Sequence, residues 1–284
     1  MRKTSPRYWI SMFAALLLWA SLAPLAMQAQ SNPDTFTTST PGSKTGSAVL
    51  ALYTSEGCSS CPPADALLAN IQQRATKNKL PIYPLAFHVD YWDHLGWKDP
   101  YSSPEFTKRQ RTYASVWNAR QVYTPQMIVN GNTGFVGSNS RTAQQQINAA
   151  LTVKPDVQIA LTATTNRRTP LQTTVAYNIT PLKDDLPETL VLSVALTQNG
   201  IATKVQAGEN GGRELLHQAV VRMFKTIPLT KENLVGSIPF SLPDQENNAQ
   251  KPDPKQTRIL AFVQDIKTMR ILGASQIPFP TAAE

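Results

Sequence analysis

The two cysteines of the chain, Cys58 and Cys61, are three residues apart and are the residues best suited to chemistry. An apolar run at 49–53 precedes them, and apolar residues at 67, 68 and 71 follow with helical spacing. The pattern therefore predicts a strand that delivers the pair to the start of a helix. Unpaired N–H groups and the positive end of the helix dipole favour a thiolate there, which suits a redox dithiol.

The Cys58–Cys61 pair has three interpretations, and the first is a bridge that only stabilises the fold. Closing a loop of about four residues removes roughly 2 kcal/mol of chain entropy, against nearly 5 kcal/mol for a loop of about one hundred residues. A bridge of this span is therefore poorly suited to a purely stabilising role. A non-catalytic binding module with an inert bridge stays open as an alternative.

The second interpretation is thiol–disulfide exchange, in which Cys58 attacks and Cys61 resolves the mixed disulfide. A pKa lowered from about 8.5 to about 7 at the helix start increases the thiolate fraction of Cys58 at neutral pH. The Glu56 carboxylate opposes this shift if it lies close, because a negative charge destabilises a neighbouring thiolate. These opposing effects leave the direction of electron flow open. Such chemistry needs no organic cofactor, and its partner is a protein or a small thiol or disulfide.

The third interpretation is the handling of copper or zinc outside the cytoplasm. Two thiolates and His88 could bind Cu(I) or Zn(II), with Asp90 or His94 as a further ligand. His88 ends the second predicted strand, at the edge of an α/β sheet where ligand crevices form. A lone histidine at a strand end is more often structural, so exchange is the preferred interpretation.

A polar and aromatic loop follows His88. Its Trp92 and Trp97 could form a wall for a peptide or small-thiol substrate, or pack as a lid over the helix ends. His88 or Asp90 could move a proton to or from the buried thiol. The loop is therefore expected to support the dithiol.

Residues 1–29 have the pattern of a secretory signal peptide, with a basic start and an apolar segment. The sequence thus predicts an exported protein, periplasmic or secreted, in a compartment where disulfides persist. Removing these residues takes away three positive charges, so the net charge of +8 becomes +5. No basic patch interleaved with aromatic residues indicates nucleic-acid binding, and no later segment is predicted to span a membrane. The oligomeric state is left open.

Composition and hydrophobic period divide the rest of the chain. The predicted parts are a linker at 30–46, an α/β part at 47–153, a β-rich part at 154–275 and a tail at 276–284. The α/β part is predicted to follow the order β-α-β-α-β-β-α. In the β-rich part, apolar residues alternate at period two, which predicts antiparallel strands of a sandwich-like domain. His217 and the turn at 211–213 carry no independent signal for function.

Four stretches of sequence make the chain resemble a known family. They are TSEGCSSCPPAD at 54–65, FHVDYWD at 87–93, LGWKDP at 95–100 and YTPQM at 123–127. With the order of elements, they resemble the thioredoxin fold and, more narrowly, the secreted bacterial thioredoxin-like domain-of-unknown-function family twelve-twenty-three. This resemblance implies a thioredoxin-like fold for the α/β part, and it implies no established activity. With the period-two alternation that follows, the predicted fold is an α/β thioredoxin-like domain followed by an antiparallel β-sandwich-like domain.

The resemblance also implies a cis peptide bond between Thr124 and Pro125. In thioredoxin-like folds this proline packs against the dithiol, and the backbone of the preceding residue can pair with a substrate strand. The predicted site therefore has three groups. They are Cys58, Cys61 and Pro125 as catalytic residues, Glu56, His88, Asp90 and Thr124 as supporting residues, and Trp92 and Trp97 as a substrate wall.

Overall fold

The computed structural model describes residue 1 and residues 35–40, 42–243 and 249–281. The helices are α1 (Pro62–Lys77), α2 (Pro104–Val116) and α3 (Ser140–Thr152). The strands are β1 (Thr35–Thr40), β2 (Ala48–Thr54), β3 (Ile82–His88), β4 (Gln126–Val129), β5 (Thr133–Val136), β6 (Val157–Asn166), β7 (Thr169–Pro181), β8 (Leu190–Gln198), β9 (Ile201–Lys204), β10 (Glu214–His217), β11 (Val220–Pro228), β12 (Val235–Ser241), β13 (Thr257–Asp265) and β14 (Ile271–Pro278). The signal peptide predicted for residues 1–29 lies, beyond its first residue, outside the described residues.

Residues 47–153 fold in the predicted order of strands and helices, from β2 to α3. α1 begins with two prolines, which are tolerated because the N–H groups of a first helical turn have no partner within the helix. α2 begins after Ser103, whose side chain accepts the Glu105 N–H at 3.2 Å as an N-cap. Among the described residues, no helix combines the length and the apolar character needed to cross a bilayer.

One eight-stranded sheet contains strands from both halves of the chain, in the order β14-β13-β8-β11-β3-β2-β4-β5. β3 pairs in parallel with β2 and β11, and the other neighbours are antiparallel. The halves join at Ala86 of β3, whose N–H donates to the Ala219 carbonyl at 2.8 Å. The described residues after Met1 belong to one compact unit. The predicted boundary at residue 153 therefore marks a change of pattern along the chain, within a unit that shares one sheet.

A second, antiparallel sheet has the order β1-β6-β7-β12. In β6 every second residue from Val157 to Thr165 is buried, which is the period predicted from the sequence. Buried side chains of β6, β7 and β12 form one core with those of β8, β13 and β14. The protein is therefore mostly β-structure, with a mixed sheet and an antiparallel sheet on either side of a common core.

Two segments predicted to lie outside the folded parts form strands instead. Residues 35–40, within the predicted linker, form β1 and pair antiparallel with β6 along their whole length. The prediction rested on the scarcity of apolar residues, but threonine has high β-propensity and an edge strand is held by its main-chain hydrogen bonds. Residues 276–278, within the predicted tail, complete β14, where Ile277 is buried in the common core.

Arg109 of α2 ties the α/β part to the β-rich part. Its guanidinium carbon lies 4.8–5.8 Å from four ring centroids, those of Phe87, Tyr113, Phe224 and Phe262. The guanidinium also donates to the Gln264 Oε1 at 2.7 Å. Because Phe224 and Phe262 belong to β11 and β13, these cation–π contacts stabilise the junction between the two halves.

Candidate functional site around the cysteine pair

Cys58 and Cys61 form a disulfide in the loop between β2 and α1, with their Cα atoms 5.4 Å apart. The Cys58 N–H donates to the Ser55 carbonyl at 3.2 Å, and the Cys61 N–H donates to the Cys58 carbonyl at 3.1 Å. Cys61 is the N-cap of α1, and its carbonyl accepts the N–H groups of Ala64 and Asp65. The pair therefore lies at a helix N-terminus, where the dipole favours negative charge.

Both cysteines are completely buried, whereas Ser59 and Ser60 between them are exposed. Trp92, in the loop after β3, packs on the motif at Gly57, where an added Cβ would lie 3.1 Å from the Trp92 Cβ. The Cys58 Sγ lies 3.4 Å from the Ser60 Oγ. A reagent in solution therefore reaches the sulfurs only after part of this covering has moved.

A loop of the C-terminal half, Val205–Arg213, contacts the cysteine motif, and we call it the cover loop. Asn210 is fully buried in it. The Asn210 Nδ2 donates to the carbonyl oxygens of Glu56 at 2.8 Å and Cys58 at 3.0 Å. One side chain from the β-rich half therefore satisfies two main-chain acceptors of the motif.

Glu209 adds a second contact between the cover loop and the motif, because its carboxylate accepts the Ser59 N–H at 2.9 Å. The partners in these contacts are 150–154 residues apart in sequence. Neither Glu209 nor Asn210 was among the predicted site residues, and the turn at 211–213 within the loop was predicted to carry no signal for function. No local pattern indicates a contact over such a separation.

Glu56, predicted as a supporting residue, has a fully buried carboxylate with two partners. Its Oε2 accepts the Trp97 Nε1–H at 2.9 Å, and its Oε1 lies 3.2 Å from the Nε2 of His217 on β10. Trp97 therefore holds Glu56 in place, and its role as a substrate wall stays a prediction. Because two N–H groups face the carboxylate, its opposition to a Cys58 thiolate is weaker than that of an unpartnered charge.

His88 is fully buried at the end of β3 and pairs with Asp99, which was not among the predicted site residues. The His88 Nδ1 lies 2.7 Å from the Asp99 Oδ2. Burial lowers the pKa of His88, but the charge and hydrogen bond of Asp99 outweigh burial and raise this pKa to about 9. Burial raises the pKa of Asp99, yet His88 and two main-chain N–H donors hold that pKa below its ordinary value.

The two pairs form one buried cluster, which comprises Glu56, His217, His88 and Asp99. The ring centroids of His88 and His217 are 5.0 Å apart, and the Asp99 Oδ2 accepts the Glu56 N–H at 2.8 Å. Within the described residues, the His88 Nε2 and the His217 Nδ1 have no hydrogen-bond partner. The cluster therefore joins the ends of β2, β3 and β10 directly before the cysteine motif.

Asp65 supplies a buried carboxyl group in the first turn of α1, one helical turn after Cys61. Its Oδ2 accepts the Thr54 hydroxyl at 3.1 Å. Burial raises the pKa of Asp65 above its ordinary value, and the nearby His217 and His88 offset burial only in part. A carboxyl group with a raised pKa is better suited to proton exchange than an ordinary, solvated aspartate.

Pro125 lies near the start of α1, and the peptide bond between Thr124 and Pro125 is cis, as the resemblance implied. A Cβ added at Gly137 would lie 3.1 Å from the Cβ atoms of both Pro125 and Ala64. The Thr124 Oγ1 accepts the Trp92 Nε1–H at 2.8 Å. Trp92 therefore bridges the cysteine motif and the loop that contains the cis bond.

Two of the predicted residues have other surroundings. Asp90 exchanges hydrogen bonds with Thr107 of α2, and His94 is exposed. In the part of the chain that the structure describes, no group of three or more His, Cys, Asp or Glu side chains is arranged to hold a metal ion. His88, the histidine of the metal interpretation, directs its Nδ1 to Asp99.

The comparisons with known proteins show a family and a fold. The model of the family described as "Protein of unknown function (DUF1223)" matches residues 49–264. A crystal structure of a protein from Agrobacterium tumefaciens is 22% identical with a TM-score of 0.59, covering 85% of this chain and 99% of that one. HBP35 of Porphyromonas gingivalis is 18% identical with a TM-score of 0.58, covering 86% of this chain and 79% of that one. No curated protein matches the sequence.

Proposed function

This chain belongs to the DUF1223 family, and from the chemistry of its cysteine motif we propose that it is an exported thiol–disulfide oxidoreductase. The observation that carries the proposal is the position of the Cys58–Cys61 pair at the N-terminus of α1, with Pro125 beside the same helix. The proposal includes a thioredoxin-like character for residues 47–153. The element order from β2 to α3 supports that part.

The exchange proceeds through a mixed disulfide on Cys58. In the reducing direction, the Cys58 thiolate attacks one sulfur of a substrate disulfide, whose S–S bond breaks and releases the other sulfur as a thiolate. Cys61 loses its proton and attacks the Cys58 sulfur, which releases the first substrate sulfur as a thiolate. The substrate gains two electrons, and Cys58 and Cys61 are oxidised to the bridge. The reverse sequence oxidises a substrate dithiol.

Buried groups around the pair support the proton transfers that this chemistry requires. Asp65 lies one turn from Cys61 and has a raised pKa because it is buried, so it is suited to accept the Cys61 proton. The helix N-terminus stabilises the Cys58 thiolate, and His217 with Trp97 engages the Glu56 charge that would oppose it. The partner is a protein or a small thiol or disulfide in a compartment outside the cytoplasm.

Trapping of a mixed disulfide tests the proposal. We expect Cys61→Ser to accumulate a mixed disulfide with a cystine-containing peptide, because the attacking sulfur remains and the resolving sulfur is gone. Non-reducing mass spectrometry measures the adduct. Cys58→Ser should trap less, and the double variant Cys58→Ser/Cys61→Ser is the matched control without adduct.

A result in which Cys61→Ser traps no more peptide than the double variant contradicts exchange through Cys58. A reduction potential below about −300 mV in the parent protein, together with an absence of exchange activity, would instead identify an inert structural bridge. The two measurements therefore separate an oxidoreductase from a non-catalytic binding module.

A further inference from the structure

The cover loop is built as a separate unit on a hairpin of its own. β9 and β10 pair only with each other and belong to neither of the large sheets. The ends of the loop are joined, because the Val205 N–H donates to the Arg213 carbonyl at 3.0 Å and the Gly212 N–H donates to the Val205 carbonyl at 2.8 Å. The Gly211 N–H closes an inner turn on the Gly208 carbonyl at 3.1 Å. The loop can therefore leave the motif while keeping its own hydrogen bonds.

Asn210 makes the main contact between the cover loop and the cysteine motif. It is buried, while the residues at 206–209 and 211–214 on either side of it are exposed. Its Oδ1 accepts the Arg213 Nη1–H at 2.8 Å, which orients the amide so that its Nδ2 faces the carbonyls of Glu56 and Cys58. The hydrogen bond from the Ser59 N–H to the Glu209 carboxylate is the second contact.

The groups that the cover loop occupies are main-chain groups of the motif. Two are carbonyl oxygens, at Glu56 and Cys58, and one is the N–H of Ser59. A polypeptide backbone offers an N–H donor and a C=O acceptor at each residue other than proline, so it can replace both kinds of contact. Both sulfurs are buried, and the loop is hydrogen-bonded to the main chain of Cys58 and of Ser59 beside it. A substrate that bonds these main-chain groups must therefore take the place of the loop.

We propose that the cover loop is an internal ligand, which fills the surface where the backbone of a polypeptide substrate binds and leaves it when the substrate arrives. The nature of the substrate in this inference rests on the proposed function. The covering of the motif by the loop does not depend on any exchange partner. It assigns Asn210 and Glu209 as the residues that the substrate backbone displaces. Opening exposes the Cys58–Cys61 bridge, and the exchange then follows the mixed-disulfide steps.

Reduction of the bridge by a water-soluble phosphine measures the opening. Each hydrogen bond of Asn210 to the motif shifts the opening equilibrium by roughly fivefold, so Asn210→Ala should accelerate reduction about 30-fold relative to the parent. Asn233→Ala is the matched control, because Asn233 also bonds main-chain groups, the Thr230 N–H and the Pro228 carbonyl, in a different turn. That control should leave the rate within twofold.

A second variant distinguishes opening of the loop from a general loss of folding as the cause of faster reduction. Glu209 is exposed, and Glu209→Gln should keep the fold and accelerate reduction by a few fold, because a charge-assisted hydrogen bond becomes a neutral one. Glu214→Gln, an exposed residue of the same hairpin, is its control. Circular dichroism confirms that each variant is folded at the assay temperature.

The reaction with a peptide tests whether a substrate binds to the surface that the cover loop occupies. We expect Asn210→Ala to increase two rates by the same factor relative to the parent. One is the reaction of the reduced protein with a disulfide-linked reporter peptide, and the other is the reduction of the oxidised protein by the phosphine. The factors are equal because the loop and the peptide compete for one surface. If the phosphine rate rises and the peptide rate does not, the loop is a cover and the assignment of the substrate surface is overturned. If neither Asn210→Ala nor Glu209→Gln changes the phosphine rate by more than twofold, the cover itself is overturned. The rate of reduction by the phosphine depends only on opening of the loop. Failure of the mixed-disulfide trapping experiment would therefore contradict the proposed exchange without contradicting the cover.

Discussion

Replacing Asp99 with asparagine is expected to lower the free energy of unfolding by about 3–5 kcal/mol, the cost of removing one partner from a buried ion pair. The Asp99 carboxylate is almost fully buried and accepts three hydrogen bonds. Its Oδ2 accepts from His88 at 2.7 Å and from the Glu56 N–H at 2.8 Å, and its Oδ1 accepts from the Tyr101 N–H at 2.9 Å. An amide places an NH₂ group against at least one of these donors, and the His88 charge loses its partner.

The measurement is denaturant unfolding of both proteins at neutral pH, with the slope and the midpoint compared. Asp184→Asn is the matched control, because Asp184 is exposed and the change in charge is the same. A loss of less than about 1 kcal/mol in Asp99→Asn, the size of a surface ion pair, would contradict a charged His88–Asp99 pair. The hydrogen bond from the Glu56 N–H is weakened in this variant, because a neutral amide oxygen is a poorer acceptor than a carboxylate, so we expect faster amide exchange in the motif loop.

Stability is expected to fall as the pH rises from about 6.5 to about 9, by up to about 3 kcal/mol. The folded protein holds the pKa of His88 at about 9, against an ordinary value of 6.5. The folded state therefore binds the His88 proton more tightly than the unfolded state does. Its contribution is fully present below pH 6.5 and is lost as the pH rises through 9. The lowered pKa of Asp99 acts at the other end, because its contribution is lost as the pH falls below the ordinary value of 3.8.

Unfolding free energies at several pH values between 6 and 9.5 test this dependence. His88→Gln should remove most of the slope, whereas His94→Gln should keep it because His94 is exposed. A parent protein whose stability is flat across this range would show that His88 is neutral in the fold. The Cys58–Cys61 bridge must stay oxidised throughout, so that no thiol titrates in the same window.

The charges that face His88 come from several elements. Asp99, Glu56 and Asp65 each raise its pKa, and the His217 ring lies 5.0 Å from its ring. Glu56 precedes the motif, Asp65 belongs to α1 and His217 belongs to β10. Substitution of Glu56 or Asp65 is therefore expected to lower the midpoint of the pH profile, whereas His88→Gln and the loss of Asp99 both remove most of its slope.

Local pattern was sufficient to predict the elements that position the cysteines. The strand before Cys58 and the helix after Cys61 are in the structure where the sequence indicated them, and the cis bond before Pro125, which the family resemblance implied, is there too. Each depends on neighbouring residues, on apolar spacing or on a short motif. The period-two alternation of β6 was also predictable from local pattern, because it follows from one face of a strand being buried.

Partnerships over long distances could not be predicted in this way. His217 and Asn210 reach the motif from 161 and 152 residues away, and nothing in the neighbouring sequence indicates which distant residues they contact. Asp99 was overlooked because an aspartate in a polar loop is usually solvated, and only the fold shows that it is buried. β1 was missed because main-chain pairing with β6 leaves no apolar signature.

The shared sheet and the cover loop limit how this protein can be divided or recombined. A segment ending at residue 153 would contain both sulfurs but would lack Asn210, Glu209 and His217. It would also lack Phe224 and Phe262, so that the aromatic face around Arg109 would be left open. We therefore expect that the cysteine pair, cut out in such a segment, does not keep the surroundings that it has in the whole protein.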